Sequence, residues 1–533
     1  MKRKIMNQAM AVILSAATVM SMTGCGGSNT ANTSGSSGNT ESVSSSGAPT
    51  DHKEKPVLTF MAVALYGSEL KNEYSQDVIK SYEEYTGYQI DWRWEANDTY
   101  KEKLGLTLMD KGNMPMILTC GGSIQGNIVD AAKRGAFWDL TEYLKDESRF
   151  PNLSKGNENV NKALTIDGKL IGVYRSRAIG RFGMSYRTDW AEAVGITKAP
   201  ETIAEMYDML YKFTYEDPDG NGKDDTYGLE MTKYTGPLDI MQTWFGAGNE
   251  WVEQNGKLIP VHQTAEYMEA LQWMRKIYTE GLIRQDWASV DSASFGDACK
   301  KGEAGVFVDV VGSGARIWDY YTDNDVKSVV DPSQLATMNI VGPVNGKTLA
   351  TNGYNGFFVI TKDGAKTEED LINCLTFLDK MCDDEMMILA DYGLDGISYN
   401  LDENGEVVLN KDMKTDKSPQ CGLNQSVAYI PNRVATSPLL VSSESNTATT
   451  LSYDRNEAVA VFNPAIGYLA NSSVNAEVGT DIKQIIDDAR TQFICNQIDE
   501  AGFESAAKQW LDRGGDRLIE EVNELYEIDL GAK

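Results

Sequence analysis

The chain has 533 residues, of which 78 are acidic and 49 are basic, and its formal net charge is −29. A charge of this size argues against nucleic acid, anionic lipid and strongly anionic molecules as partners, and it favours a neutral ligand. The chain has only two histidines, His52 and His262. A Ser-His-Asp triad or a histidine-rich zinc site would therefore have to be built on His262 alone, which argues against both.

The first 24 residues predict an export signal. A basic start is followed by an apolar run over residues 9–20, which is too short to span a membrane as a mature helix. The next residues, Met22-Thr23-Gly24-Cys25, resemble a bacterial lipobox. The resemblance implies that Cys25 carries acyl chains such as palmitate and holds the protein at the extracellular face of the cell membrane. The alternative is cleavage to a freely secreted protein.

Residues 25–55 predict the lipidated cysteine and a flexible tether. Gly, Ser, Thr and Asn dominate this segment, which cannot bury enough apolar surface to offset the entropy of ordering it. No apolar run after residue 55 is long enough to cross a bilayer. The remaining part, roughly 480 residues, is too long to fold around one hydrophobic core, and its length predicts two or three domains.

Strand and helix patterns alternate along this remaining length. Apolar runs predict strands over 57–64, 90–94, 114–119, 227–231, 305–311 and 356–361. Helical spacing predicts helices over 74–85, 99–111, 264–278 and 481–526. Thr202 with Glu205 forms a capping box that opens a further helix, and Thr367 opens another. This alternation predicts α/β layers, with the last helical part packed against the second lobe.

Residues 217–228 have the spacing of a calcium-binding loop. Oxygen-bearing side chains stand at its first, third, fifth and ninth places, and Gly222 stands sixth. We therefore expect structural calcium, held by the ligands Asp217, Asp219, Asn221, Asp225 and the Lys223 carbonyl. The twelfth place is Gly228 rather than a bidentate Glu, so the closing ligand must come from elsewhere or be absent. The alternative is an Asp/Asn/Gly-rich turn without an ion.

Six cysteines besides Cys25 lie in the globular part, and no pair has metal-type spacing. Cys374 falls on a helical apolar stripe, where a thiol behaves as a small core hydrophobe. We expect mostly free, buried thiols. The alternative is a single disulfide, which an exported protein can form. The six are Cys120, Cys299, Cys374, Cys382, Cys421 and Cys495.

Several ordered segments resemble one known family. Residues 112–117, Gly-Asn-Met-Pro-Met-Ile, are similar to the small-Gly-Asp-x-Pro-Asp-Ile-Ile segment of extracellular solute-binding proteins of ABC importers, the family that includes maltose-binding protein. Met116 stands where the family has Asp. Further similar segments follow in the family's order at 131–140, 167–173, 186–190, 280–283, 341–343 and 392–396.

The resemblance implies a periplasmic-binding-protein-like type II α/β fold, in which a hinge joins two lobes around a ligand cleft. Lobe 1 would comprise 56–175 plus about 338–395, and lobe 2 would comprise 176–337 plus about 396–533. It also implies a monomeric receptor, not an enzyme, that delivers a carbohydrate, expected to be an oligosaccharide, to an ABC transporter permease. The alternative is a secreted glycoside-active enzyme, because the separation of two catalytic carboxylates is invisible in a sequence.

Sugar recognition needs flat aromatic faces and planar polar groups. By position in the family's order, the candidate ligand-binding residues are Tyr66, Trp94, Asn97, Ser123 and Gln125 from the first lobe, Tyr234, Trp244, Asp309 and Trp318 from the second, and Tyr354 near a crossing strand. For each of them a core or surface role is the alternative. Trp244 is preferred because it lies between Tyr234 and a Gly-Ala-Gly turn, a polar and flexible setting. For Trp273 core packing is the better interpretation.

Overall fold

The computed structural model describes residues 56–64, 75–410, 422–431 and 443–531. The predicted signal peptide, the tether, Cys25, Tyr66 and Cys421 lie outside these ranges. Among the described helices, none combines the length and the apolar character that crossing a membrane requires.

The first sheet has five strands. In spatial order they are Gln89–Ala96, Val57–Ala64, Ile117–Cys120, Tyr354–Ile360 and Val173–Ser176. The first three are parallel, and Tyr354–Ile360 runs antiparallel to both of its neighbours. The strand predicted over 57–64 is confirmed. Because the parallel strands share one direction, their carboxyl ends lie along one edge of this sheet.

The second sheet has four strands, in the spatial order Met338–Gly342, Phe182–Arg187, Ala304–Val310 and Tyr227–Leu229. Ala304–Val310 runs parallel to Tyr227–Leu229 and antiparallel to Phe182–Arg187. Residues 304–308 are all buried. Strands that helices cover on both faces are continuous apolar runs, and this strand is one of them.

Helices cover each sheet and build two main cores. On the first sheet Phe60 meets Phe358 and Phe377 edge to face, with ring centroids 5.4 and 6.5 Å apart. The helices around the first sheet are Ser75–Thr86, Tyr100–Thr107, Gly126–Lys133, Glu158–Ala163, Glu368–Lys380 and Asp384–Tyr392. Those around the second are Thr188–Ala193, Ile203–Tyr215, Gly236–Trp244, Ala265–Thr279, Asp297–Lys301 and Val311–Asp323.

The chain ends in a helical region, as predicted. Its helices are Glu444–Glu457, Ile466–Asn471, Ser473–Ile494, Glu500–Trp510 and Asp516–Gly531. Ala489, Phe493 and Phe503 join the core of the second sheet. Asn471, in contrast, donates a hydrogen bond from Nδ2 to the carbonyl of Thr165, 2.9 Å away, and so ties this region to the first lobe as well.

Local signals predicted the helix starts at Thr202 and Thr367 correctly, and the turn pairs of the chain have the backbone that their residue types favour. Complete capping boxes open the helices at Thr202 and Thr367. The Asp-Gly and Asn-Gly pairs at 167–168, 255–256 and 345–346 all have positive φ, as such turns require. The helix predicted over 99–111 is shorter, Tyr100–Thr107, and turns follow it up to Gly112.

Among the described residues two segments join the sheets. We call residues 177–181 the first crossing and residues 343–353 the second crossing. The lobe boundaries differ from those expected. Met338–Gly342 pairs along Phe182–Arg187 in the second sheet, so the chain returns to the first sheet only at Tyr354 and not at 338. Residues 423–430, expected in the second lobe, contribute Leu423, Val427 and Ile430 to the first core because they are apolar and dock there.

Five described cysteines are free. Cys120, Cys299, Cys374 and Cys382 are buried, and Cys495 is half-buried. Burial raises the pKa of Cys382 to about 12 and raises the pKa of the other three buried thiols as well. These thiols are therefore protonated and unreactive in the folded chain.

Candidate functional site

The strand ends of the two sheets meet at the first crossing. Val173–Ser176 leads directly into it, and Phe182, the next strand's first residue, pairs with Val310. Ser176 pairs with Tyr354, and the amide of Gly356 donates to the carbonyl of Gly122 at 3.0 Å. In open α/β sheets, ligands bind outside the carboxyl ends of the strands. The candidate cleft therefore lies where these two edges face the crossing.

From the first lobe, Trp94 extends an aromatic stack at the end of its strand. Its ring lies 4.8 Å from that of Trp92 at an angle of 14°, and Trp92 stacks on Phe60 at 5.1 Å. Trp94 is half-buried, and Asn97, which follows the strand, is exposed. An indole held on one side by packing is preorganised to stack on a flat ligand surface.

A second group from the first lobe surrounds Tyr354. Burial raises the pKa of Tyr354, whereas hydrogen bonds from the backbone of Ile124 and the side chain of Ser123 lower it. Ser123 is exposed and Gln125 is half-exposed, with a weak contact of 3.5 Å from Nε2 to the carbonyl of Gly121. The structure thus brings Ser123, Gln125 and Tyr354 together.

From the second lobe, Tyr234 and Asp309 form a pair. The Tyr234 hydroxyl donates to Oδ1 of Asp309 at 3.2 Å, and Tyr234 remains 38% exposed. Burial raises the pKa of Asp309, while the hydrogen bond from Tyr234 and the charges of Arg181 and Arg316 oppose that rise. This pair offers a ligand an aromatic face and a carboxylate acceptor side by side.

The predicted ligand role of Trp244 is wrong in this structure. Its side chain is 0% exposed and packs edge to face on Trp273 at 6.3 Å. The polar residues that precede it, Gln242 and Thr243, are buried in the same helix, and Ala247 in the turn that follows is buried as well. Trp273 is half-buried against the same core, as predicted for it.

Trp318 lies two helical turns beyond the strand end at Val310. It packs against a small apolar cluster that contains Phe307 and Tyr321. Position on the helix therefore gives this indole a packing contact. Phe295, which packs against the same cluster, has its ring centroid 5.4 Å from that of Tyr234.

Sequence reasoning missed the arginines of the first crossing. Arg175 is the last residue but one of the preceding strand, and Arg177 and Arg181 lie in the crossing itself. Burial is the main cause that lowers the pKa of Arg177, and the charge of Arg181 is the second. The two guanidinium groups are therefore near enough to interact. Three arginines within seven residues of a strongly acidic chain were a visible signal.

The predicted calcium loop is tightly folded after the helix Ile203–Tyr215. Both oxygens of Asp217 accept backbone hydrogen bonds, from Asn221 at 3.1 Å and from Gly222 at 3.0 Å. Nδ2 of Asn221 donates to Asp219 at 2.8 Å and to Asp225 at 3.1 Å. Thr226 closes the loop by donating to the carbonyl of Phe213 at 2.9 Å.

The residues of this loop fit a cation only if Asn221 turns its amide. In the described ranges no three His, Cys, Asp or Glu side chains are already arranged as a metal site. The carboxylates of Asp219 and Asp225 instead converge on the amide nitrogen of Asn221. Partial burial raises the pKa of Asp219, and the nearby carboxylates of Asp217 and Asp225 raise it further. A cation would relieve this repulsion, with the oxygen of Asn221 turned toward it.

Several cavities among the described residues lie away from the strand ends. One of about 140 Å³ surrounds His262, Arg490 and Trp510. Another of about 730 Å³ lies between the Asp167–Gly168 turn, the second crossing and the last helix. None of the predicted site residues lines either cavity, so the strand ends remain the candidate ligand site.

Comparison with known proteins agrees with this architecture. Residues 66–385 match the family of bacterial extracellular solute-binding proteins. Lipoprotein LipO of Bacillus subtilis (strain 168) is 38% identical over 459 residues, covering 84% of this chain and 88% of LipO. The polygalacturonan/rhamnogalacturonan-binding protein YtcQ of the same organism is 30% identical over 501 residues, covering 92% of this chain and 95% of YtcQ.

A solved structure has the same fold. The ABC-transporter substrate-binding protein FusA of Streptococcus pneumoniae, an EF-hand mutant in complex with fructo-nystose, superposes with a TM-score of 0.57 at 18% identity. The match covers 90% of this chain and 100% of FusA. The two α/β lobes predicted from the sequence are thereby confirmed as a periplasmic-binding-protein-like fold. With a family match over 66–385 and relatives at 30% identity or more, this chain belongs to the bacterial extracellular solute-binding proteins.

Proposed function

We propose that this protein captures a carbohydrate outside the cell and delivers it to the permease of an ABC transporter. The observation that carries the proposal is the meeting of aromatic and planar polar side chains at two strand-end edges. Trp94 and Tyr354 belong to one edge, and Tyr234 with Asp309 belongs to the other. Relatives named for binding polygalacturonan and fructooligosaccharide support a sugar, in particular an oligosaccharide, as the ligand.

Binding without turnover is part of this proposal. His262 lies against Trp510, with ring centroids 4.6 Å apart, and lines a cavity that none of the candidate ligand-binding residues lines. Asp309 accepts a hydrogen bond from Tyr234. A glycoside-active enzyme would need two carboxyl groups about 5 to 10 Å apart flanking one bond.

We also propose the setting in which the receptor works. Acylation of Cys25 would hold it at the extracellular face of the cell membrane, as the name of its relative LipO suggests. Calcium in the loop 217–225 would be structural, because the loop follows a helix and precedes the strand Tyr227–Leu229 without reaching the cleft. The protein would act as a monomer, since a single chain supplies both edges.

The decisive experiment is a binding and turnover assay on the same samples. Purified protein is incubated with neutral and acidic oligosaccharides, binding is followed by calorimetry, and products are followed by chromatography. We expect saturable binding, a raised melting temperature and no product. Appearance of shorter saccharides over time would overturn the receptor and favour the enzyme.

A matched pair of indole variants tests the site itself. Trp94→Ala should weaken saccharide binding at least tenfold, because it removes the stacking surface, while the melting temperature falls little. Trp138→Ala is the control, because its indole lies away from the strand ends. Its Nε1 donates a hydrogen bond of 2.8 Å to the carbonyl of Ala365. The control should lose stability and keep its Kd. The opposite pattern would remove Trp94 from the cleft.

A further inference from the structure

The first crossing concentrates positive charge in a chain whose net charge is −29. In the described part of the chain, Arg175, Arg177 and Arg181 form no ion pair with a carboxylate. Four other described arginines form such pairs: Arg187 with Asp189, Arg284 with Asp286, Arg490 with Asp239, and Arg517 with Glu477. The three crossing arginines lie within seven residues of one another and have no such pair.

Arg175 is the most deeply placed of the three. Its guanidinium lies 5.9 Å above the ring of Phe358, and Nη2 donates to the carbonyl of Asn424 at 3.1 Å. Its Nε is buried without a hydrogen-bond partner. Burial lowers the pKa of Arg175, which reflects the cost of holding a guanidinium charge away from water. A buried, incompletely partnered cation is costly unless a counter-charge arrives.

The neighbours of Arg177 and Arg181 do not balance this charge. Burial and then the charge of Arg181 lower the pKa of Arg177, and Tyr429 and Tyr453 only partly oppose this shift. Burial raises the pKa of Asp309, and the charges of Arg181 and Arg316 both act on Asp309 to lower it. Asp391 stands behind Tyr429, whose hydroxyl donates to it at 2.5 Å, and burial raises the pKa of Asp391 to about 6.

The count of charges at the crossing is therefore positive. Four guanidinium groups, those of Arg175, Arg177, Arg181 and Arg316, meet three carboxyl groups, those of Asp309, Asp391 and Glu457, whose backbone packs against Gly180. Asp309 and Asp391 already accept a hydrogen bond from a tyrosine. The net charge of the whole chain, which favoured a neutral ligand, does not describe this region.

We propose that the ligand is an acidic sugar that carries carboxylate groups, as a uronic acid does, and that Arg177 and Arg181 bind a carboxylate of it. Arg175 lies behind them as a positioning residue. The proposal rests on the proposed function and specifies its substrate class. A planar guanidinium matches the two oxygens of a carboxylate through parallel hydrogen bonds. A carboxylate would supply the counter-charge that this crossing lacks.

The test compares each acid with its own neutral form. Calorimetry on the full-length processed protein uses an oligogalacturonate, an oligomannuronate, the methyl ester of each, and a sulfated galactan oligomer. We expect at least one uronate to bind tenfold or more tightly than its ester at low salt, and the difference to shrink as salt rises. Esters that bind as tightly as the acids, or a preference for the sulfated oligomer, would overturn the proposal.

Substitutions assign the effect to the crossing. Arg177→Gln and Arg181→Gln should each weaken uronate binding at least tenfold and change binding of the ester less than twofold, while Arg177→Lys retains part of the affinity. Arg134→Gln, at the exposed end of the helix Gly126–Lys133, is the control and should bind normally. Uronate binding that is equal in all variants would contradict the assignment.

The same assay separates this inference from the proposed function. Tight binding of a neutral oligosaccharide, unaffected by either arginine variant, would leave the carbohydrate receptor standing and remove the acidic ligand. Failure of every saccharide, neutral or acidic, to bind would remove both.

Discussion

At the scale of single residues, Trp244 shows that neighbouring residue types do not report burial. Its helix, Gly236–Trp244, is buried along most of its length, including its polar members. We predict that Trp244→Ala lowers the free energy of unfolding by about 3 to 5 kcal/mol, because it leaves a large cavity. Urea denaturation measures the loss, and calorimetry should find the Kd of the folded fraction unchanged. Normal stability with lost binding would return Trp244 to the cleft.

His262 provides a second prediction at this scale, on acid stability. Burial lowers the pKa of His262 to about 4, whereas an unfolded histidine titrates near pH 6.5. Between these values the unfolded chain takes up a proton that the folded chain does not. Stability from this group is therefore complete above about pH 6.5 and falls as the pH drops toward 4, by at most about 3 kcal/mol.

Substitution isolates this contribution. His262→Gln should give a flatter curve of unfolding free energy against pH between 4 and 6.5 than the wild type. The chain's other histidine supplies the control, because His52→Gln lies in the predicted tether and should leave the curve unchanged. Parallel curves for the wild type and His262→Gln would show that this histidine does not titrate as stated.

At the scale of an element, the loop 217–225 either binds an ion or stabilises itself through its own hydrogen bonds. Calcium at about 100 times its Kd should stabilise the fold by about 2.7 kcal/mol, and a chelator should remove that gain. Asp219→Ala should abolish the response because Asp219 is a predicted ligand. Asp224→Ala, in the same loop but outside the ligand spacing, should keep it. A wild type that ignores both chelator and calcium would leave the loop an ordinary turn.

Elements were largely predictable from local chemistry, and the reasons for the exceptions are physical. Capping boxes act within a few residues, so the helix starts at Thr202 and Thr367 were found. Sheet membership depends on pairing between distant segments. Strand Met338–Gly342 was therefore assigned to the wrong lobe, since nothing in its own residues identifies Phe182–Arg187 as its partner.

The candidate site was less predictable for a related reason. Trp94, Tyr234 and Asp309 were selected by their position in the family's order, and the structure places each of them in or after a strand. Their role in binding a ligand stays a prediction. The crossing arginines were missed because total charge was used where the local distribution matters. Their spacing was visible, but only the fold places Arg181 beside Asp309.

At the scale of the whole molecule, attachment to the membrane depends on one residue far from the lobes. Stable attachment needs more than one acyl chain, and a lipoprotein-type diacylated Cys25 would provide two. Cys25→Ser should therefore release the protein into the medium or leave an unprocessed precursor, with saccharide binding intact. Membrane fractionation followed by immunoblotting measures this. Unchanged fractionation of the variant would contradict the lipobox.

The buried thiols make the chain its own reporter of conformational opening. Cys120, Cys374 and Cys382 lie in the first core, whereas Cys299 lies beside the second sheet. Because these thiols are protonated and shielded when folded, a maleimide can modify them only through transient exposure. Mass spectrometry of labelling against time would thus give separate opening rates for the two lobes, and a bound ligand that slows both would reveal mechanical coupling between them.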